Sequence, residues 1–171
     1  GYALPGMVLA VGVLLPMTLV DRSLAGFLSD LVGEPVGLVL TGSVFALVFV
    51  YVARFTTVAY NSTQTGMAQL HPHLDAVART LGSGPSRLLR QIHMPLLRPA
   101  VLSGLLLVFI DVVKELPATL ILRPFNFETL ATRVYRLASD ERLAEASTAA
   151  LIIVALGLLP TIWLLILEQR R

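Results

Sequence analysis

Long apolar runs alternate with polar intervals along this chain, at residues 3–20, 37–59, 100–122 and 147–167. Each is near the roughly 20 residues that an α-helix needs to cross a hydrocarbon core about 30 Å thick. The pattern predicts four membrane-spanning helices joined by polar loops at 21–36, 60–99 and 123–146. Pro5 falls where a first helical turn accepts proline, whereas Pro16 removes an interior hydrogen bond and predicts a kink. The loop at 21–36 carries Asp21, Arg22, Asp30 and Glu34 and reads as aqueous, with a short amphipathic turn around Leu24 to Leu31. In the second run Thr41, Gly42, Ser43 and Ala46 are small enough to admit a neighbouring helix. Arg54 lies near that run's end, from which it can snorkel to the interface. The third run is interrupted by Asp111, Lys114 and Glu115, with Pro117 just after. Neither flank spans alone, so the reading is one helix with charges inside it and a proline break behind them. Between Glu128 and Ser139, Leu130, Val134 and Leu137 recur at helical spacing, which predicts a short helix outside the bilayer. The last run contains Gly157 and Pro160 and ends on Glu168, Gln169, Arg170 and Arg171.

Composition agrees with this pattern: 56% of residues are hydrophobic, 14% are charged, and mean hydropathy is +0.79. A soluble domain of this length would carry about a quarter charged residues. A net charge of +2 without a basic, aromatic-interleaved stretch gives nucleic acid no footprint. There are no cysteines, which excludes disulfides, iron–sulfur clusters and thiolate zinc sites. No cleavable signal peptide is evident, and a chain that opens on Gly rather than Met reads as part of a longer protein. Arg79, Arg87, Arg90, Arg98, Arg170 and Arg171 lie on one side of the four-span arrangement. Arg22, Arg123, Arg133, Arg136 and Arg142 lie on the other, so the positive-inside bias toward a cytoplasmic 60–99 loop is slight.

The longest polar, basic interval holds Asp75 to Pro99. Asp75 to Leu81 reads as a short helix, Gly82 to Gly84 as a turn, and Pro85 to His93 as a second helix closed by Pro95, with Pro85 at a helix start. Leu88, Leu89 and Ile92 form an apolar ridge there, while Arg87 and Arg90 point elsewhere. Such a ridge suits a groove on a soluble partner.

This stretch resembles the signature of permease subunits of binding-protein-dependent ABC importers: Glu-Ala-Ala, three residues, Gly, nine residues, Ile, any residue, Leu-Pro. Ala76, Val77 and Ala78 fall on the first three positions, Gly82 on the glycine, and Ile92, Met94 and Pro95 on the last block. The family's Glu is Ala76 here, with Asp75 one place earlier, and its Leu is Met94. Lys114 to Leu120, Leu122 to Phe127, Leu130 to Tyr135, Ala138 to Glu141 and the opening Gly1-Tyr-Ala-Leu-Pro-Gly are similar to the ferric-iron branch. The resemblance implies an all-α, polytopic bundle of the type I importer permease kind, with a cytoplasmic coupling-helix pair and a short extracytoplasmic helix. It makes residues 1–171 one transmembrane permease domain, the C-terminal part of a longer permease in the bacterial inner membrane. The implied partners are a cytoplasmic ATP-binding subunit, a periplasmic substrate-binding protein, a second permease half or subunit, and membrane lipid. Iron(III) is the favoured cargo, with thiamine, polyamines or other small solutes as alternatives. Coupling to the ATPase would fall to Ala76, Ala78, Gly82, Arg87, Leu88, Leu89, Arg90, Ile92 and Pro95.

Charges at the centre of a spanning helix cost about 2.5–3.5 kcal/mol each, so Asp111, Lys114 and Glu115 should be paired or face water. Their spacing lets Lys114 meet Asp111 and leaves Glu115 beside both. With Pro117 they form either a gate lining the solute path or an ion pair fixing helix packing. His71, His73 and His93 lack the acidic or thiolate companions of a metal site, and Pro72 separates the first two, so they read as solvated and neither metal nor cofactor is expected. Asn61-Ser-Thr is an incidental glycosylation match on a cytoplasmic edge. No phosphate-binding loop, Gly-x-Ser-x-Gly elbow or His-Glu-x-x-His is present, so if transport is ATP-driven, as the resemblance implies, the nucleotide site belongs on another chain. Two rivals stay open: an intramembrane enzyme using Asp111 and Glu115 as acid and base, and a purely structural membrane subunit.

Overall fold

The computed structural model describes residues 2–71 and 73–169. Gly1, Pro72, Arg170 and Arg171, named above, lie outside the described residues. All regular elements among them are helical: α1 (Gly6–Val32), α2 (Val44–Ala68), α3 (Leu74–Thr80), α4 (Pro85–Leu88), a π turn (Leu89–His93), α5 (Met94–Val113), α6 (Pro117–Leu122), α7 (Leu130–Ser139) and α8 (Leu143–Gln169). Four helices are long and apolar enough to cross a membrane: Gly6–Val32, Val44–Ala68, Pro85–Val113 and Leu143–Trp163. The chain forms two compact units, Gly1–Thr56 with Ile110–Arg171, and Thr57–Phe109.

In the first unit, α1 turns Gly6, Ala10, Met17 and Asp21 inward, a stripe at helical spacing. Ala10 and Met17 join Ala46, Leu47 and Val50 of α2 and Ala118 and Leu122 of α6 in one apolar core. Alanines at three of these positions let the helices approach closely, which is how packing without a hydrophobic drive is achieved in lipid. Outside this core the helices are greasy and open: Leu15, Leu19, Leu151 and Leu159 are all exposed. Such faces suit lipid or further helices.

Helix α1 does not stop at Asp21, where an aqueous loop was expected. It runs through Pro16 and Asp21 to Val32 and ends on Gly33, whose positive φ of 78° directs its N–H to Ser29 O at 2.9 Å. Helix α2 likewise starts at Val44, later than expected, and continues through the polar residues Tyr60 to Gln64. The predicted short helix is present as α7. Thr129 caps it, accepting from Thr132 N–H, while Thr132 Oγ1 accepts from Thr129 N–H at 2.9 Å. Its inward residues Ala131, Thr132 and Leu137 accompany its packing on α8, whose buried positions are Ala146 and Ala149. Just before α8, Arg142 donates to Glu145 at 2.8 and 2.5 Å. That hydrogen bonding raises the Arg142 guanidinium above its ordinary pKa.

In the second unit, α2 and α5 meet through small residues. A Cβ at Gly66 would overlap Ala100 Cβ, one at Gly104 would come within 2.9 Å of Ser62 Cβ, and Ser62 Oγ donates to Ala100 O at 2.8 Å. The close approach therefore uses Ser62 and Gly66. Gly42, expected in such a role, instead occupies a turn with φ +79°.

Candidate functional site

The hairpin α3–turn–α4 lies within the second unit. α3 ends in a Schellman arrangement: Gly82 takes φ +77°, its N–H reaches Arg79 O at 3.0 Å, and Ser83 N–H reaches back to Ala78 O at 3.0 Å. Glycine is required there by backbone conformation and not by crowding, since a Cβ would meet nothing within 4 Å. Gly82→Ala is accordingly expected to destabilise the hairpin by about 1–2 kcal/mol through left-handed strain alone. Hydrogen exchange at Gly82 and Ser83 would register the loss, and unchanged protection would contradict it. Pro85 opens α4 at a position that needs no N–H donor.

The second short helix is not closed by Pro95. It passes through the π turn, where Met94 N–H donates to Leu89 O, and continues as α5 to Val113. A wide turn just ahead of Pro95 accommodates a residue that cannot donate to the preceding turn. The expected apolar ridge is also divided. Leu88 is buried and Ile92 half-buried, whereas Leu89 is exposed, as are Arg87, Arg90 and Pro95. On α3, Ala78 is buried and Ala76 exposed, and the large apolar surface comes from Val77 (56% exposed) and Leu81 (79%), which the sequence reading passed over.

The charged break lies in the first unit. α5 ends at Val113 and α6 begins at Pro117, so Lys114 and Glu115 stand at the break itself and not inside a helix that breaks behind them. Lys114 Nζ lies 2.8 Å from Asp111 Oδ1, the pairing that the spacing allows, and Tyr2 OH donates to Asp111 Oδ2 at 3.2 Å. Glu115 does not join them. Its Oε1 accepts from Arg54 Nη1 and from Ala118 N–H, each at 3.3 Å, which places it as a cap on α6. Arg54 does not snorkel: the pair is 17% and 7% exposed, and Arg54 Nε is buried with no hydrogen-bond partner among the described residues. Tyr51 OH and Thr119 Oγ1 share a short hydrogen bond beside it, and Thr119 Oγ1 donates to Glu115 O at 2.8 Å. Gly6 leaves room for the pair, because a Cβ there would overlap both Arg54 Nη1 and Glu115 Oε1.

Two further polar residues are fixed by contacts that sequence reasoning missed. Asp21 is fully buried and accepts from the backbone of Val39 (2.8 Å), Leu40 (3.0 Å to either oxygen) and Thr41 (2.6 Å). His93, read as solvated, lies 2.8 Å from Asp75 and is 14% exposed. A signal existed for two of the missed contacts. Asp21 continues the Gly6–Ala10–Met17 stripe, and Arg54 continues the inward stripe of Leu47 and Val50.

An all-helical chain with four long apolar helices and an α3–α4 hairpin on the importer spacing points to one family. The profile described as "Binding-protein-dependent transport system inner membrane component" matches residues 1–171. The chain belongs to this family. It is thus a multi-pass inner-membrane component with the type I ABC importer permease fold. Similar proteins include the Fe(3+)-transport system permease protein FbpB 2 of Haemophilus influenzae, 29% identical over 116 residues that cover 68% of this chain and 23% of that protein. The PhnV permease of Salmonella typhimurium, named for 2-aminoethylphosphonate transport, is 31% identical over 111 residues, 65% of this chain and 41% of PhnV. The ferric transport system permease protein FbpB of Actinobacillus pleuropneumoniae is 26% identical over 100 residues, 58% of this chain and 14% of that protein. The chain thus aligns with less than half the length of each relative. These relatives are named as transport permeases and none as an enzyme, and both carboxylates of the enzyme reading are engaged by Lys114 or Arg54.

Proposed function

We propose that this permease component serves an ATP-driven importer of iron(III), with its α3–α4 hairpin as the cytoplasmic coupling element. The observation that supports this most is the hairpin itself. Gly82 turns the chain at the family's glycine position, and Val77, Leu81 and Leu89 stand exposed beside Arg87 and Arg90. An apolar patch flanked by guanidinium groups suits a groove on a soluble ATP-hydrolysing subunit. Closure of that subunit would move the hairpin, and the continuous helix Pro85–Val113 would carry the motion to the break at Lys114. There Asp111, Lys114, Glu115 and Pro117 serve as the gate. A secreted binding protein would deliver the solute from the opposite side, and a second permease half would complete the path. Ferric permeases among the relatives favour iron, while PhnV makes 2-aminoethylphosphonate the main competitor.

Leu89→Asp and Arg90→Glu are each expected to reduce recovery of the ATPase with the permease about tenfold, a loss of roughly 1.4 kcal/mol, without affecting membrane insertion. Unchanged recovery with both variants would contradict the coupling role.

A further inference from the structure

We propose that Asp75 and His93 are positioning residues, a clamp that makes the hairpin move as one lever; the inference rests on the coupling role proposed above. His93 Nε2 and Asp75 Oδ1 lie 2.8 Å apart and join residues separated by 18 positions. The contact links the first turn of α3 to the end of the π turn, across the Gly82–Gly84 connection. α3 has seven residues, too few to hold a helix by itself, so its existence and direction depend on tertiary contacts. Ala78, its one buried residue, supplies a small apolar contact, and the Asp75 carboxylate supplies the directional one.

The π turn belongs to the same device. An extra residue in a helix advances everything after it by about 100°, so the wide turn sets the direction in which His93 leaves the helix. His93 is the last residue of that turn, and its side chain is largely covered while Leu89, Arg90 and Gln91 are exposed. The pairing has a second effect. Asp75 is the only acidic residue between Thr57 and Phe109. The Asp75 side chain is itself 47% exposed, but its carboxylate is engaged by His93, whereas the exposed Arg79, Arg87 and Arg90 make no ion pair among the described residues. Ala76, at the family's Glu position, adds no negative charge. The acid next to that position holds the lever's shape through His93.

The test uses the complete importer in lipid nanodiscs and liposomes, carrying Asp75→Ala, His93→Ala, or the exchange Asp75→His with His93→Asp. Each single variant is expected to speed amide exchange in α3 at least about tenfold. It should also lower solute imported per ATP hydrolysed severalfold while ATPase recovery stays within about twofold. The exchanged pair should recover both readings. Unchanged α3 exchange in the single variants would overturn the clamp, whatever the transport result. Faster exchange with unaltered solute imported per ATP would overturn its positioning role, as would an exchanged pair that recovers neither reading. If wild-type uptake proves independent of ATP, the coupling reading fails and the lever with it, while α3 exchange still judges the contact itself.

Discussion

Replacing Arg54 by methionine is expected to destabilise the protein by about 3–5 kcal/mol, because it strands a buried carboxylate. Glu115 is 7% exposed, and the Arg54 guanidinium is its cationic partner at 3.3 Å. Methionine matches the aliphatic volume of the arginine stem, so the loss comes from the charge and not from a cavity. The double variant Arg54→Met with Glu115→Gln should be milder than the single one. An amide at 115 can still accept from Ala118 N–H, and no full charge is left without a partner. Thermal unfolding in detergent should show the single variant lowered by on the order of 10 °C. A single variant as stable as the wild type, or a double variant worse than the single, would show that the pair does not hold the break to α2.

Asp21→Ala should rank next. Three backbone N–H groups, of Val39, Leu40 and Thr41, converge on the Asp21 carboxylate and would lose their acceptor together. A fully buried donor left unmade costs about 1–3 kcal/mol, but these three are only partly buried and Val39 is 46% exposed, so water takes over some of the bonding and the loss is about 2 kcal/mol. Asp21→Asn, which keeps one oxygen, should lose roughly half as much. The effect would concentrate in the segment entering α2, which Ser29 also ties to α1 by accepting from Val36 N–H at 2.9 Å. Amide exchange should therefore rise at Val39 to Thr41 before α1 itself loosens. Protection that stays at the wild-type level in Asp21→Ala would contradict this tethering.

The same residues show how far the sequence could be read. Apolar length alone located four long helices, because the cost of leaving backbone unpaired in lipid makes a greasy run helical. Length did not locate their ends. Asp21 looked like water-facing loop, yet it lies on the inward stripe of α1 and uses its charge on backbone amides, so α1 continues to Val32. Tyr60 to Gln64 looked like a break, yet Ser62 spends its hydroxyl on Ala100 O and Thr63 on Ala59 O, so α2 runs on. At the third run the i, i+3 rule found Lys114–Asp111, a pairing local in sequence. Glu115–Arg54 joins residues 61 apart, and no local spacing encodes it. In the hairpin, spacing located the Gly82 turn, but it divided inward from outward residues wrongly. Leu89 follows Leu88 by about 100° around the helix and falls outside the covered side that Leu88 and Ile92 share, while the π turn redirects only what comes at its end, His93 first, and periodicity cannot foresee an inserted residue.

The most direct measurement is uptake of radiolabelled iron(III) into liposomes containing the full permease, its ATPase and its binding protein, with and without internal ATP. Uptake should require ATP, survive an excess of 2-aminoethylphosphonate, thiamine or polyamine, and fall about tenfold or more when Leu89→Asp weakens the hairpin's docking. Iron uptake that proceeds equally without ATP, or that Leu89→Asp leaves untouched, would contradict an ATP-coupled iron importer driven through this hairpin.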